Sequence, residues 1–459
     1  MERTLLSYIR QKKFWTLAEA AKRLGIKPST LQRWEKGTSS PQPINLQRLC
    51  EVYEMTAEEL GLADGPVEPT PPPDEEGLTV AQFQKQDLTL CLLRIVWQGR
   101  RHAVNNYSVL QSLIIQELDI HLDREEQEPF SHRDALRRLA LLPIEMLGLS
   151  ALGAVLTASA HDILVQCSAG IVACWQLRRG KDLAFASAVV RHYIPTLKAL
   201  TQSAPARERK AAADVLAQCL LLKSTLARHV DGSYKAVIYA QQAAIYSESA
   251  ENPILQALAL RTQAAAHYYA NHWNQALQAA EQAQAILEAS RGPIPPIVRS
   301  HVYAGLATYQ ASNGQKQEAL RSLGKAHRTF FAQPPDKTVP TWIDHNQANL
   351  ILNDGMMHFH LGLQKEAIDS FGQIPLTPLR SELICVESFI NQVMAEVNRP
   401  DAERDMEWCI DRWIQGIEGA KMLQSEQRFT EAVNIYTAMC AAWPGEQRIK
   451  ELRAYITHW

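Results

Sequence analysis

A pair of short helices near the amino terminus constrains this chain more than any other feature. Residues 15–37 have the sequence WTLAEAAKRLGIKPSTLQRWEKG, with apolar positions at helical spacing on both sides of a glycine. Gly25 can adopt the left-handed backbone conformation that ends a helix. Pro28 suits the first turn of the next helix, because its missing N–H needs no partner there. The pattern predicts a helix, a tight turn at Gly25, and a second helix that buries Leu31 and Trp34.

The basic residues of the chain are concentrated at this end. The formal net charge of all 459 residues is −2. Residues 1–50 nevertheless contain ten lysines and arginines against three glutamates, a formal charge of +7. A basic amino-terminal region on an acidic remainder favours phosphate binding by that region alone. The slightly negative net charge of the whole chain excludes a protein that is basic overall.

Composition divides the rest of the chain. The segment PVEPTPPPDEEG at 66–77 contains five prolines and four acids, so we expect a linker after an amino-terminal domain at 1–65. From residue 78 onward, Ala, Leu and Gln recur at helical spacing with almost no strand-like alternation, which predicts an all-α fold. We divide this part into a helical region at 78–200, where GKDLAFASAVV could be a degenerate helix pair, and a repeat domain at 201–459.

A repeated pattern marks the second of these regions. Five segments share a helix end, a short polar turn and an alanine in the next helix. These alanines are Ala236, Ala276, Ala319, Ala367 and Ala432. We expect each at a close crossing of two helices, with positive φ in the turns at Gly232, Asn271, Gly314 and Gly362. The alanines are 40, 43, 48 and 65 residues apart, and the last spacing predicts an additional helix pair. An irregular helical bundle is the alternative.

These segments resemble tetratricopeptide repeats, which are helix pairs that stack into a superhelix, or α-solenoid, with a concave groove. Every spacing exceeds the roughly 34 residues of the standard repeat. Mapped onto this sequence, the resemblance implies that the groove is lined by Arg228, Arg261, Tyr268, Tyr269, Thr308, Asn349, Phe359 and His360. Amide, aromatic and cationic side chains can hold an extended peptide. The alternative is a groove of solvated polar residues.

The amino-terminal region at 3–62 resembles the lambda-repressor-like, or Xre-type, helix-turn-helix domain. The matching pieces are LAEAAKRLGI, STLQRWEKG and PQPINLQRLCEVYEMTAEELGL, and the last supplies the closing helices of a five-helix fold. The resemblance implies a core of Ala21, Leu24, Ile26, Leu31, Trp34, Leu46, Leu49 and Leu60. An excisionase or MerR-like domain is the alternative, but such domains continue into a strand-bearing wing, whereas this chain continues into helices.

The same resemblance implies a recognition helix at about 28–36 in the major groove of double-stranded DNA. The residues expected to meet base edges are Pro28, Ser29, Gln32 and Arg33. The residues expected to meet phosphates are Lys27, Lys36, Thr38 and Ser39. Leu17 stands where the family usually has glutamine, so we expect one phosphate contact to be missing.

An amino-terminal domain of this type with a tetratricopeptide body is similar to the peptide-pheromone-sensing regulators of Gram-positive bacteria. The resemblance implies a transcription regulator whose repeat domain binds a short peptide or a protein. Homodimerisation and control of operator binding are also implied. The alternative is a protein-interaction adaptor whose amino-terminal domain has no regulatory role.

Signals for an enzyme or a membrane protein are poor. The sequence contains no phosphate-binding loop, zinc-protease or serine-hydrolase motif, and its eight cysteines have no metal-ligand spacing. We therefore expect no catalytic residues, no metal and no cofactor. The apolar stretch at 139–160 is interrupted by Pro143 and Glu145, which argues against a membrane span. The start has no secretory h-region, so we expect a cytoplasmic protein.

Overall fold

Every regular element in the described part of the chain is a helix, which confirms the all-α class. The computed structural model describes residues 15–36, 43–53, 107–122, 129–151, 159–332, 345–374 and 382–457, and isolated positions at 6, 10, 41, 55, 60, 92, 93, 95, 96 and 343. Two compact units divide the chain: the head, Met1–Leu78, and the body, Thr79–Trp459.

The head contains the helices α1 Leu17–Leu24, α2 Pro28–Glu35 and α3 Pro43–Tyr53. A capping box begins α1: the Thr16 hydroxyl accepts a hydrogen bond from the backbone N–H of Glu19, and the Glu19 carboxylate accepts one from the backbone N–H of Thr16. Gly25 ends α1 with a φ of 66°, and Pro28 is the first residue of α2, as predicted. The count of five helices depends on residues outside the described part.

One apolar cluster holds the head together. Its buried members are Leu6, Ala20, Ala21, Leu24, Leu31, Trp34, Leu49, Tyr53 and Leu60. Six of the eight predicted core residues are among them, and Ile26 packs against the cluster while partly exposed. The side chain of Leu46 lies outside the described residues. Leu17 also packs against this cluster, so the residue that replaces the usual glutamine contributes to packing.

The body is a succession of helices in which neighbours along the chain pack together. They are α4 Tyr107–Leu122, α5 Pro129–Ala151, α6 Ala160–Leu177, α7 Leu183–Ser203, α8 Ala206–Val230, α9 Ser233–Ser249, α10 Pro253–Tyr269, α11 Trp273–Ala289, α12 Pro296–Ser312, α13 Lys316–Phe331, α14 Gln347–His360, α15 Gln364–Gly372, α16 Glu382–Val397, α17 Met406–Met422, α18 Glu426–Ala442, α19 Gln447–Glu451 and α20 Arg453–Ile456. No helix in the described ranges is long and apolar enough to cross a membrane.

The predicted helix pairs are present. The five alanines of the repeat pattern lie in α9, α11, α13, α15 and α18, the second helices of their pairs, and all five are fully buried. The φ angles of the predicted turn residues are 88° at Gly232, 60° at Asn271, 76° at Gly314 and 77° at Gly362. Gln424, with a φ of 52°, makes the corresponding turn between α17 and α18. Local turn chemistry and the buried alanines therefore define these pairs.

The predicted additional helix pair between Ala367 and Ala432 is wrong for the residues that the structure describes. That interval contains one extra α-helix, α16, followed by the 3-10 helix Asp401–Glu403. The next helix, α17, packs against both α16 and α18. A spacing of 65 residues does not distinguish two short helices from one helix with long connections.

Helix α18 packs back onto the middle of the body. Helix α18 contacts α8 as well as its neighbours α16 and α17. At this contact His229 hydrogen-bonds the hydroxyl of Ser425 at 2.9 Å, across 196 residues of sequence. Ser425 also caps α18 by accepting a hydrogen bond from the backbone N–H of Arg428. The helices between α8 and α18 consequently enclose a space lined by their facing side chains.

We expect Gly355→Ala to destabilise the body. A Cβ at this position in α14 would overlap three ring atoms of Phe371, which is fully buried. Overpacking of this kind costs about 1–3 kcal/mol, which outweighs the gain of about 1 kcal/mol in helix propensity. The matched control is Gly324→Ala in α13, where the nearest atom is the end of the Arg328 side chain at 3.6 Å. Urea unfolding should show a lower free energy of unfolding for Gly355→Ala and a free energy higher by up to about 1 kcal/mol for Gly324→Ala. Equal effects would contradict the close packing of Gly355 against Phe371.

Candidate DNA interface and ligand cavities

Helix α2 has one buried and one exposed side. Leu31, Trp34 and Glu35 are buried against the rest of the head. The exposed residues at and around the helix include Lys27, Pro28, Ser29, Gln32, Arg33 and Lys36. These six are all the predicted DNA-contacting residues that the structure describes, because Thr38 and Ser39 lie outside it. The helix expected to recognise DNA therefore presents mainly polar residues on its exposed side.

The beginning of α2 is suited to an anion. Lys27 occupies the N-cap position in an extended conformation, and its side chain makes no capping hydrogen bond. Pro28 follows as the first helical residue. The N-terminus of a helix carries a partial positive charge, and Lys27 adds its own. A phosphate oxygen beside Lys27 would be stabilised by both features.

One of the ten cations in this region has a structural role. The guanidinium of Arg10 bonds both carboxylate oxygens of Glu35, at 2.6 and 3.1 Å, and donates to the carbonyl of Trp15 at 3.0 Å. Its hydrogen bonds with Glu35, opposed by burial, raise the pKa of Arg10 above its ordinary value. Glu35 is only 8% exposed. Arg10 thus holds the end of α2 in place, which a count of charges along the sequence does not reveal.

Two adjoining cavities lie within the space between α8 and α18. The arginine cavity has a volume of about 110 Å³, and its lining includes Arg178, Arg228, His229, Arg261, Glu387 and Arg428. The aromatic cavity has a volume of about 440 Å³, and its lining includes Tyr268, Tyr269, Trp273, Phe359, His360 and Ile390. The two share Arg228, Tyr268, Tyr269 and Met356. The two cavities are therefore direct neighbours.

All eight residues predicted to line a groove lie at these two cavities. Arg261, Thr308 and Asn349 line the arginine cavity. Phe359 and His360 line the aromatic cavity, and the remaining three belong to both. Whether these side chains bind a ligand stays a prediction.

A buried charge network lies where the cavities meet. Arg428 is 1% exposed and pairs with Glu387 at 2.8 Å and with Glu431 at 2.6 Å. The hydroxyl of Tyr269 donates to Glu387 at 2.6 Å. Burial alone would lower the pKa of Arg428, but the two carboxylates raise it well above its ordinary value. The network joins α10, α16 and α18.

The histidines beside the arginines are held neutral. Burial, and then the positive charge of Arg228, lowers the pKa of His229 well below its ordinary value. Burial and Arg261 have the same effect on His301. His345, whose ring centroid lies 4.9 Å from that of His301, has its pKa lowered to about 3 by burial and then by Arg261. At neutral pH the charge of the arginine cavity therefore comes from its guanidinium groups.

Five charged residues at these cavities were not predicted: Arg178, Glu387 and Arg428 at the arginine cavity, and Glu426 and Glu431 at the aromatic cavity. Arg178 follows α6, in a region where the sequence shows no clear repeat. Arg428 lies on α18, a second helix, whereas the repeat mapping assigns groove residues to first helices. Glu387 lies on α16, the helix that the spacing did not resolve. Within the described residues, no three His, Cys, Asp or Glu side chains are grouped so that they could hold a metal ion.

Comparison with known proteins identifies the head. Residues 6–60 match the helix-turn-helix family HTH_3, so the head contains a helix-turn-helix domain of the Xre type. No curated protein sequence matches the chain significantly.

Similarity to solved structures is weak. The crystal structure of Bacillus thuringiensis PlcR in complex with the peptide PapR7 and DNA is 11% identical, with a TM-score of 0.31, over 72% of this chain and 94% of that chain. The crystal structure of the P58(IPK) TPR domain is 12% identical, with a TM-score of 0.20, over 79% of this chain and 97% of that chain. TM-scores of this size do not establish a shared fold.

Proposed function

We propose that this chain is a transcription regulator that binds double-stranded DNA through α2 and changes its DNA affinity when the body binds a ligand. One observation carries the proposal. Within a helix-turn-helix domain, Leu31 and Trp34 fix α2 in the core, while the polar residues Lys27, Ser29, Gln32, Arg33 and Lys36 remain exposed. A recognition helix in the major groove needs this division of faces.

The exposed residues suggest distinct roles. Arg33 can form two hydrogen bonds with a guanine, and Ser29 and Gln32 can bond neighbouring base edges. Lys27 and Lys36, at the two ends of α2, can contact phosphates, which position the helix without specifying sequence. One small head offers few contacts, so we propose that a homodimer binds a pseudo-palindromic site.

The body supplies a place for a regulatory ligand. The volume of the aromatic cavity, about 440 Å³, lies within the range of about 300–1,000 Å³ that is common for small-molecule sites. Helices far apart in sequence, α8 and α18, meet beside the cavities. A ligand that binds one arrangement of these helices more tightly than another shifts the population toward that arrangement. This is the route by which we propose that ligand binding alters the DNA affinity of a dimer.

The proposal predicts different effects for two cations of the head. A binding site would first be selected from random duplex DNA with the full chain, and affinities measured by fluorescence anisotropy at several salt concentrations. Arg33→Ala should cost about 1–3 kcal/mol of binding free energy and relax the preference at one base pair. Lys36→Ala should weaken binding to all sequences similarly and reduce the slope of log K against log salt by about 1.

The control is Lys22→Ala, which removes an exposed cation from α1. It should leave base preference unchanged, because Lys22 does not lie on the proposed recognition helix. If Arg33→Ala and Lys36→Ala both leave the affinity and its salt dependence unchanged, the head does not bind DNA through α2. The protein-interaction adaptor would then be the better interpretation.

A further inference from the structure

The arginine cavity has more positive than negative charge in its lining. Four arginines face it, but Glu387 is the single carboxylate in that lining. Glu387 is already engaged by Arg428 at 2.8 Å and by the Tyr269 hydroxyl at 2.6 Å. Among the described residues, neither Arg228 nor Arg261 forms an ion pair with a carboxylate. The protein itself therefore leaves cationic groups in this cavity uncompensated.

Unused hydrogen-bond donors accompany this charge. The Nε atoms of Arg228, Arg261 and Arg428 are shielded from solvent and have no hydrogen-bond partner. The side-chain nitrogen of Asn349 is also shielded from solvent and has no hydrogen-bond partner. These nitrogens carry hydrogen and can only donate. Leaving buried donors unpaired is unfavourable. What the cavity lacks is an acceptor with negative charge.

A fully buried histidine adds a second indication of a ligand. His229 is 0% exposed and lines the cavity. Its Nδ1 bonds the hydroxyl of Ser425 at 2.9 Å, while its Nε2 has no partner. A buried ring nitrogen at a cavity wall, with its other nitrogen fixed by a hydrogen bond, is oriented to meet a bound group.

The pKa values of the groups at the arginine cavity agree with a positive electrostatic potential there. Burial, followed by the charges of Arg179 and Arg228, lowers the pKa of Arg178 to about 9. His229 and His301 are kept neutral by burial and by the arginines beside them. A bound anion would offset the part of these pKa shifts that comes from the positive charge of the neighbouring arginines.

The position of Arg228 links this charge to the aromatic cavity. Its guanidinium carbon lies 4.7 Å from the centroid of the Tyr269 ring, and both residues line the two cavities. Beyond them, the aromatic cavity presents Trp273, Phe359 and Met394. Guanidinium groups match the geometry of carboxylate and phosphate oxygens, and the aromatic wall suits an apolar group.

We propose that the arginine cavity binds the oxyanion of an amphiphilic ligand whose apolar part occupies the aromatic cavity. The binding chemistry is a carboxylate or phosphate attached to an apolar body. A free organic acid and the carboxyl terminus of an apolar peptide both offer it. That this ligand regulates DNA binding rests on the function proposed above, but the binding itself does not.

The test is calorimetric titration of the full chain, without DNA, at constant ionic strength. Octanoate and octanol form one matched pair of probes, and the tripeptide Ala-Leu-Phe as free acid and as carboxyl-terminal amide forms the other. We expect the anionic member of at least one pair to bind at least about tenfold more tightly than its neutral partner. Tighter binding of octanoate indicates a free acid as the source, and tighter binding of the free-acid peptide indicates a peptide terminus.

Variants then locate the anion. Arg228→Gln and Arg261→Gln should each weaken binding of the preferred anionic probe about 10- to 100-fold and leave its neutral partner nearly unchanged. Arg261→Lys keeps the charge but not the paired N–H donors of the guanidinium group. Its affinity for the anionic probe should therefore lie between those of Arg261→Gln and the unchanged protein. Arg321→Gln, which changes an exposed arginine of α13, should have no effect. Circular dichroism of each variant would establish that it is folded.

Two results would overturn the proposal. One is that neither anionic probe binds more tightly than its neutral partner. The other is that folded Arg228→Gln and Arg261→Gln proteins bind the anion as tightly as the unchanged protein. Loss of DNA binding in the head variants bears on the proposed function alone, because these titrations contain no DNA.

Discussion

Arg428→Met is expected to lower the free energy of unfolding of the body by about 3–5 kcal/mol, because it would leave the buried carboxylate of Glu387 and the partly buried carboxylate of Glu431 without their cation. Glu387 and Glu431 both pair with Arg428, whose side chain is 2% exposed. Methionine has a similar length and no charge, so the change removes the ion pairs with little loss of packing volume. Chemical unfolding of the full chain, followed by circular dichroism, would measure the loss.

The same variant should become sensitive to pH. Burial already raises the pKa of Glu431, and loss of the opposing arginine would raise it further. A carboxyl group whose pKa is higher in the folded than in the unfolded chain binds more protons when folded, so its effect on stability becomes more favourable as the pH falls. The destabilisation by Arg428→Met should therefore be largest near neutral pH and shrink toward about pH 5.

Two further variants separate buried charge from other effects. Arg448→Met breaks a pair with Glu407 in which both side chains are about half exposed, so it should cost less than about 1 kcal/mol. Adding Glu387→Gln and Glu431→Gln to Arg428→Met removes the uncompensated acids and should recover part of the lost stability. If Arg428→Met were no more destabilising than Arg448→Met, the network would not have the energetic role that its burial indicates.

Trp34→Ala is expected to unfold the head and abolish DNA binding. Trp34 is 4% exposed and belongs to the apolar cluster of the head. Truncating a buried tryptophan costs about 3–5 kcal/mol, whereas a domain of about 60 residues has a total stability of only about 3–9 kcal/mol. The head and the body are separate compact units, so the unfolding transition of the body should be preserved.

The neighbouring residue provides the comparison. Arg33 is exposed on the same helix, so Arg33→Ala should weaken DNA binding while the head unfolds as in the unchanged protein. Limited proteolysis would distinguish the two variants, since an unfolded head is cleaved rapidly. A folded head in the Trp34→Ala protein would mean that this core tolerates the loss of its largest side chain.

Features encoded by neighbouring residues were predictable from the sequence. Gly25 and Pro28 mark a helix end and a helix start through their own backbone preferences, and both have those positions in the structure. Gly232 and Asn271 likewise adopt the positive φ that their residue types tolerate. Buried alanines such as Ala236 follow from the repeated spacing.

Contacts between distant segments were not predictable in this way. The ion pair of Glu387 with Arg428 joins α16 to α18, and the bond of His229 with Ser425 joins α8 to the beginning of α18. No local spacing relates these residues. The predicted groove residues lie at the cavities because each was assigned from its own helix, whereas the excess of arginine there depends on how several helices converge.

The contact between α8 and α18 also sets an order of events during synthesis of the protein. His229 and Ser425 are separated by 196 residues, which a ribosome needs about 10–40 s to add. Earlier helix pairs can form on the emerging chain, since each depends on adjacent segments. The arginine cavity, however, has no complete wall until Arg428 has been added. A nascent chain therefore carries the complete helix α2, which we propose contacts DNA, well before it can complete the cavity in which we propose that a ligand binds.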